Sequence, residues 1–113
     1  MHEMSLCESV LQIVEEEATR QRFSRVKWLQ LEIGVLAGVE VEAMRFCFDV
    51  VARNSLLQEA ELDIVQPGGE AWCMQCAQTV AIAARYTPCP HCGSYQLQVT
   101  GGDQMRIKEL EVE

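Results

Sequence analysis

Apolar positions along the chain change period several times. Leu6, Val10, Ile13 and Val14 recur at the spacing of one helix face. Ser5 and Glu8 precede them as a capping box, in which the hydroxyl accepts a backbone N–H and the carboxylate reaches back. This predicts a helix over 5–21. From Arg25 to Val35 the period falls to two, with Leu29, Leu31 and Ile33 on one side and Gln30 and Glu32 on the other, a half-buried strand. Helical spacing returns over 40–53, with Val41, Met44, Phe48 and Val51 on one face and Cys47 beside it. Phe46 and Phe48 are both expected in the core. Leu62 and Ile64 mark a second strand, closed by Gln66-Pro67-Gly68-Gly69. Met105 to Val112 reads as a last strand. Its apolar phase breaks between Ile107 and Leu110, which predicts a bulge near Lys108 and Glu109.

The resulting class is α+β: a small three-stranded, antiparallel-type sheet with two helices on one face. An insert separates the last two strands. Pro67-Gly68-Gly69 opens it and Thr100-Gly101-Gly102 closes it. The expected division is a discontinuous domain of 1–67 and 101–113, with a second domain over 68–100. Gly-rich joints on both sides predict that the two can move relative to each other.

The insert carries the strongest chemical signal. Cys73-Met74-Gln75-Cys76 and Cys89-Pro90-His91-Cys92 are two CxxC knuckles, twelve residues apart. Each lets two thiolates converge on one ion from one tight turn, and together they complete the tetrahedron that zinc prefers. Iron also accepts four thiolates. The competing readings are a pair of disulfides or a redox dithiol. Disulfides belong to oxidising compartments, whereas the chain opens Met1-His2-Glu3, with no basic and apolar leader, so a cytoplasmic location is expected. A redox dithiol calls for one CxxC at a helix start. Gly93, just after the last cysteine, is expected at positive φ. Thr79 to Ala84, between the knuckles, has strand composition. A zinc ribbon from about Gly68 to Leu97 follows. His91 lies inside a knuckle whose four thiolates already fill the shell, so it is expected to be exposed or to lie behind the ligands.

Composition narrows the partners. Nine Lys and Arg face seventeen Asp and Glu, for a formal charge of −8. Nucleic-acid binding rests on neutralising phosphates with basic side chains, so it is not expected. No run reaches the ~20 apolar residues of a membrane helix. There is no zincin motif, nucleophile elbow or phosphate-binding loop. The chain reads as non-enzymatic, with a protein or a cation as partner.

His2 is the second candidate. The α-amine of Met1, the backbone nitrogen of residue 2 and the His2 imidazole can close adjacent chelate rings on one metal. Planar nitrogen donors suit Ni2+ or Cu2+. On spacing alone His2 can equally be an ordinary residue of a frayed terminus.

Taken together, the chain resembles the HypA/HybF family of hydrogenase maturation proteins. The resemblance rests on Met1-His2-Glu3, Ser5-Leu6-Cys7 and Leu31-Glu32-Ile33-Gly34. It continues through Glu40 with Phe46-Cys47-Phe48, Trp72-Cys73 with Cys76, Cys89-Pro90 with Cys92, and Ile107 with Glu109-Leu110-Glu111-Val112. It spans essentially the whole chain. It implies a nickel metallochaperone for [NiFe] hydrogenase, with His2 as nickel ligand and Cys73, Cys76, Cys89 and Cys92 as ligands of structural zinc. It further implies as partners a nickel-handling GTPase of the same pathway and the hydrogenase large subunit, with urease served by some members. The fourth nickel position is then expected at the Glu3 amide or at a carboxylate, with Glu40 the candidate. A homodimer is conceivable. The alternative is a zinc-ribbon adaptor between proteins, with no nickel site of its own.

Overall fold

The computed structural model describes residues 2–113. The elements run α1 (Glu3–Gln21), β1 (Val26–Ile33), α2 (Val41–Ala52), β2 (Glu61–Val65), β3 (Gly69–Cys73), β4 (Gln78–Ile82), β5 (Leu97–Gly101) and β6 (Met105–Val112). They form two three-stranded sheets, ordered β2-β1-β6 and β4-β3-β5. The chain divides into two compact units. One holds 1–31, 39–64 and 107–113, and the other holds 32–38 and 65–106.

The first unit follows the hydrophobic pattern with three corrections. Leu29 and Leu31 are fully buried along β1, as their alternation requires, and so is Ile33, the last residue of the strand, which falls in the second unit. Met44, Phe48 and Ala52 form the buried face of α2. Phe46, by contrast, is 68% exposed: two residues before Phe48, it points away from the buried helix face. On α1 the buried stripe is Cys7, Val10 and Val14, and Ile13 is exposed. The helix also begins at Glu3, with His2 at its N-cap, so Ser5 lies inside the first turn rather than at the cap. Along β6, Ile107 and Leu110 are half-buried, as is Met105, which falls in the second unit, so burial changes phase where the sequence does.

The second unit contains more sheet than its sequence announces. β3 pairs antiparallel with β4 on one side and β5 on the other, with an irregularity between Glu70 and Ala71 on the β5 side. Ala71, Cys73, Val80, Ile82, Cys89 and Leu36 make its core. Leu36 comes from the segment after β1, which is tied down by main-chain bonds. Gly34 N–H donates to Gln104 O (2.9 Å), Val35 N–H to Pro67 O (3.0 Å) and Leu36 N–H to Gly102 O (2.7 Å).

Of the glycines in the two expected joints, Gly69 and Gly102 are closely packed, whereas nothing lies within 4 Å of a Cβ at Gly68. Gly102 has φ +77°, and a Cβ there would strike the Gly68 carbonyl and Gly69 Cα. A Cβ on Gly34 would likewise strike the Gly102 carbonyl. Glycine is required at both because backbone meets backbone without room for a side chain.

Candidate metal centres

The four-cysteine site is built by repetition. β3 runs into Cys73, and the chain turns through Met74 and Gln75 to Cys76. Ala77 N–H then donates to Cys73 O at 2.9 Å, and Ala77 takes φ +52°. The second knuckle does the same, with Gly93 N–H on Cys89 O at 2.8 Å and Gly93 at φ +77°. Both loops therefore close through a residue in the left-handed region, as expected for Gly93. The first knuckle accepts the strain of a non-glycine there.

These turns aim amides at sulfur. Cys76 N–H donates to Cys73 Sγ (3.5 Å) and His91 N–H to Cys89 Sγ (3.4 Å). The Cys76 N–H outweighs burial and holds the Cys73 thiol at about 7. Burial pushes the Cys89 thiol up, but the N–H groups of Cys92 and His91 outweigh it and the net direction is down. The second cysteine of each knuckle goes the other way. At Cys76 the Gln78 amide lowers the thiol, while burial and the Cys73 and Cys89 thiols prevail and raise it. At Cys92 the Ser94 N–H lowers it, while burial and the Cys73, Cys89 and Cys76 thiols push it up to about 12. Four sulfurs this close cannot all ionise without a cation among them.

The geometry fits such a cation. Cys73 Sγ and Cys92 Sγ lie 3.6 Å apart, and Cys76 Sγ and Cys89 Sγ 3.8 Å. All four sulfurs are within 4.8 Å of one another. Zinc–sulfur bonds of about 2.3 Å give a tetrahedron with an edge of about 3.8 Å. A disulfide needs about 2.05 Å. The donor set and spacing therefore suit a tetrahedral thiophilic ion. Cys73 is fully buried and belongs to the unit's core, so filling the site and packing the sheet are one event. His91 is exposed.

At the other candidate, the start of α1 meets the start of α2. Glu40 is the N-cap of α2, and its Oε1 accepts the Glu42 N–H at 3.2 Å. Its own N–H donates to Glu3 Oε2, also at 3.2 Å. That bond, more than any other, holds the Glu3 carboxyl below the usual carboxylate range. Thus Glu3 and Glu40 are brought together, and His2, exposed, adjoins Glu3 in the chain. Met1, the expected amine donor, lies outside the described residues. Among the described residues, the four cysteines form the one group of three or more His, Cys, Asp or Glu side chains within metal-binding reach. Cys7 is buried against Met44, its Sγ 3.5 Å from the Met44 carbonyl oxygen. Burial pushes its thiol up to about 11. It is a packing residue.

Comparison with known proteins agrees over the full length. Residues 1–112 match the family model described as HypA, hydrogenase/urease nickel incorporation, metallochaperone. The chain is 61% identical to the hydrogenase maturation factor HypA of Alkalilimnicola ehrlichii and 59% identical to that of Azotobacter chroococcum, each over all 113 residues and the whole of the relative. Among solved structures it is similar to the Ni metallochaperone HypA from Helicobacter pylori. The TM-score is 0.73 at 28% identity, covering 99% of this chain and 97% of that one.

Proposed function

The chain belongs to the HypA family of hydrogenase/urease nickel-incorporation metallochaperones, and from that premise we propose that it carries Ni2+ on its N-terminal residues and delivers it to the large subunit of a [NiFe] hydrogenase. In this reading the Met1 amine, the His2 amide nitrogen and the His2 imidazole are three ligands. The Glu3 amide or the Glu40 carboxylate is the fourth.

The observation that carries the reading is where the helical ladder begins. The first bond of α1 is Leu6 N–H to His2 O, at 3.1 Å. The amides of His2 and Glu3 precede it and belong to the helix end that lacks intrahelical partners. A metal can take these nitrogens without breaking a helical bond. The helix start is electropositive, which opposes a dication. Glu3 and Glu40, each at the start of a helix, supply the compensating charge. Binding displaces protons from the amine, the imidazole and any ligating amide, so affinity falls as pH falls. An exposed terminal site with few side-chain ligands also lets go readily, as a carrier needs.

Zinc is the ion we assign to Cys73, Cys76, Cys89 and Cys92, where it would supply folding free energy to the 68–100 domain. Soft thiolates and planar nitrogens thereby sort two metals within one small chain. The protein acts in the cytoplasm, without catalysis of its own, beside the nickel-handling GTPase of the pathway. A homodimer is compatible with this role.

The test is complementation of hydrogenase-producing cells that lack this protein. His2→Ala should leave a nickel-poor large subunit and little hydrogenase activity, while the purified variant keeps its zinc. Full activity with His2→Ala and none with Cys73→Ser would favour the adaptor alternative.

A further inference from the structure

The zinc-binding unit carries a cleft that neither metal explains. Ile82, Leu97 and Val99 form its floor, and Arg85, Tyr86, Thr87 and Tyr95 surround it. Its volume is about 290 Å³. That is near the lower end of the range for small-ligand sites, ~300–1,000 Å³, so it admits one or two side chains rather than a cofactor.

Three features describe what would fit. The floor is apolar, and Leu97 and Val99 are only partly covered by the core they pack against. The rim is aromatic and open, with Tyr86 93% and Tyr95 72% exposed. Tyrosines combine apolar area with a hydrogen-bonding tip and lose little entropy on contact, which makes them frequent interface anchors. Tyr86 also stands at φ +65°, an uncommon conformation for a bulky residue and one that clusters at ligand-contacting positions. The third feature is charge. The unit contains two arginines, Arg85 and Arg106. Arg106 is paired with Glu32. Arg85 makes no ion pair among the described residues, and its Nε donates to Leu36 O at 3.3 Å, which tethers the guanidinium beside the cleft. No acidic residue lines the cleft. On a chain of formal charge −8, an unneutralised cation beside an apolar hollow is an unusual local match for an acid.

We propose that this cleft docks an extended segment of a partner protein, seating one apolar side chain on Ile82, Leu97 and Val99 and an adjacent Asp or Glu carboxylate on Arg85. The site is independent of nickel and of the His2 assignment.

The experiment is an NMR amide-shift titration of the full-length zinc-loaded chain at low salt. The probe is an acetylated, amidated tetrapeptide, Gly-Leu-Asp-Gly, beside versions with Asn for Asp and Ala for Leu. Saturable shifts should centre on residues 82–87 and 95–99. Loss of the carboxylate should weaken binding about three- to fivefold, the scale of a partly exposed ion pair, and loss of the leucine should weaken it too. Arg85→Gln should bind the Asp and Asn peptides alike, and Arg85→Lys should keep the preference for Asp. Absence of saturable shifts at millimolar peptide overturns the proposal. So do shifts centred elsewhere, or equal affinity of the unmodified protein for the Asp and Asn peptides.

Discussion

Glu3 and Glu40, 37 positions apart, are joined by a hydrogen bond from the Glu40 N–H to Glu3 Oε2 at 3.2 Å. It ties the residue next to His2 to the start of α2. Glu3→Gln retains an acceptor without charge, whereas Glu3→Ala removes both. Nickel affinity should therefore fall in the order unmodified, Gln, Ala, with zinc content unchanged. Calorimetric titration of the three proteins checks this. The pH dependence has a defined sign. The folded Glu3 carboxyl lies below its ordinary value. Its contribution to stability is present above the unfolded carboxylate range and is lost as pH falls through the lower folded value. Glu3→Gln should flatten that part of a stability-against-pH curve.

Zinc binding should release at least two protons per ion near pH 7. The Cys92 thiol, at about 12, and the raised Cys76 thiol are protonated there in the metal-free protein, and all four must ionise to ligate. Calorimetry in two buffers of different ionisation enthalpy counts them. Release below two protons would contradict the alternating pattern. By the same sign, zinc should dissociate as pH falls.

Thiol titration separates a metal site from a redox enzyme. The chain has six cysteines. Cys7 is 1% exposed and its thiol is raised to about 11, so it should react slowly at neutral pH. In zinc-loaded protein one thiol, Cys47, should react readily, and a chelator should release four more. Cys7→Ser should cost about 1–3 kcal/mol by burying a hydroxyl, with both metal stoichiometries kept.

Gly102→Ala and Gly38→Ala make a controlled pair. Both glycines have positive φ, +77° and +71°, but nothing lies within 4 Å of a Cβ at Gly38. Gly38→Ala should cost only the backbone penalty, about 1–2 kcal/mol. Gly102→Ala adds a clash with the Gly68 carbonyl and should cost more than twice that, or leave the second unit unfolded. Denaturant midpoints compare them.

The sequence was most readable where function or burial is written in local spacing. Two CxxC loops announce a four-thiolate site because the turn that converges two sulfurs is contained in four residues. Leu29, Leu31 and Ile33 announce β1 because one sheet face is buried. Readability failed where distant residues decide. The Ser5–Glu8 capping signal lost to an earlier start of α1, where Glu3 meets Glu40. β3 and β5 are short, and on β3 the inward positions are Gly69, Ala71 and Cys73, which carry little apolar signal of their own. Leu36 sits in an irregular segment, and only the fold reveals it as core. Gly69 and Gly102 read as parts of flexible joints because glycine permits both freedom and close approach, and sequence alone does not separate the two.

Nickel is proposed to bind at His2, apart from the four-cysteine site assigned to zinc. A calorimetric Ni2+ titration of zinc-loaded protein with an untagged N-terminus, beside His2→Ala, addresses it directly. One nickel per chain is expected for the unmodified protein, with loss of that binding in His2→Ala and zinc retained. Equal nickel binding by both proteins, or displacement of zinc as nickel binds, would contradict it.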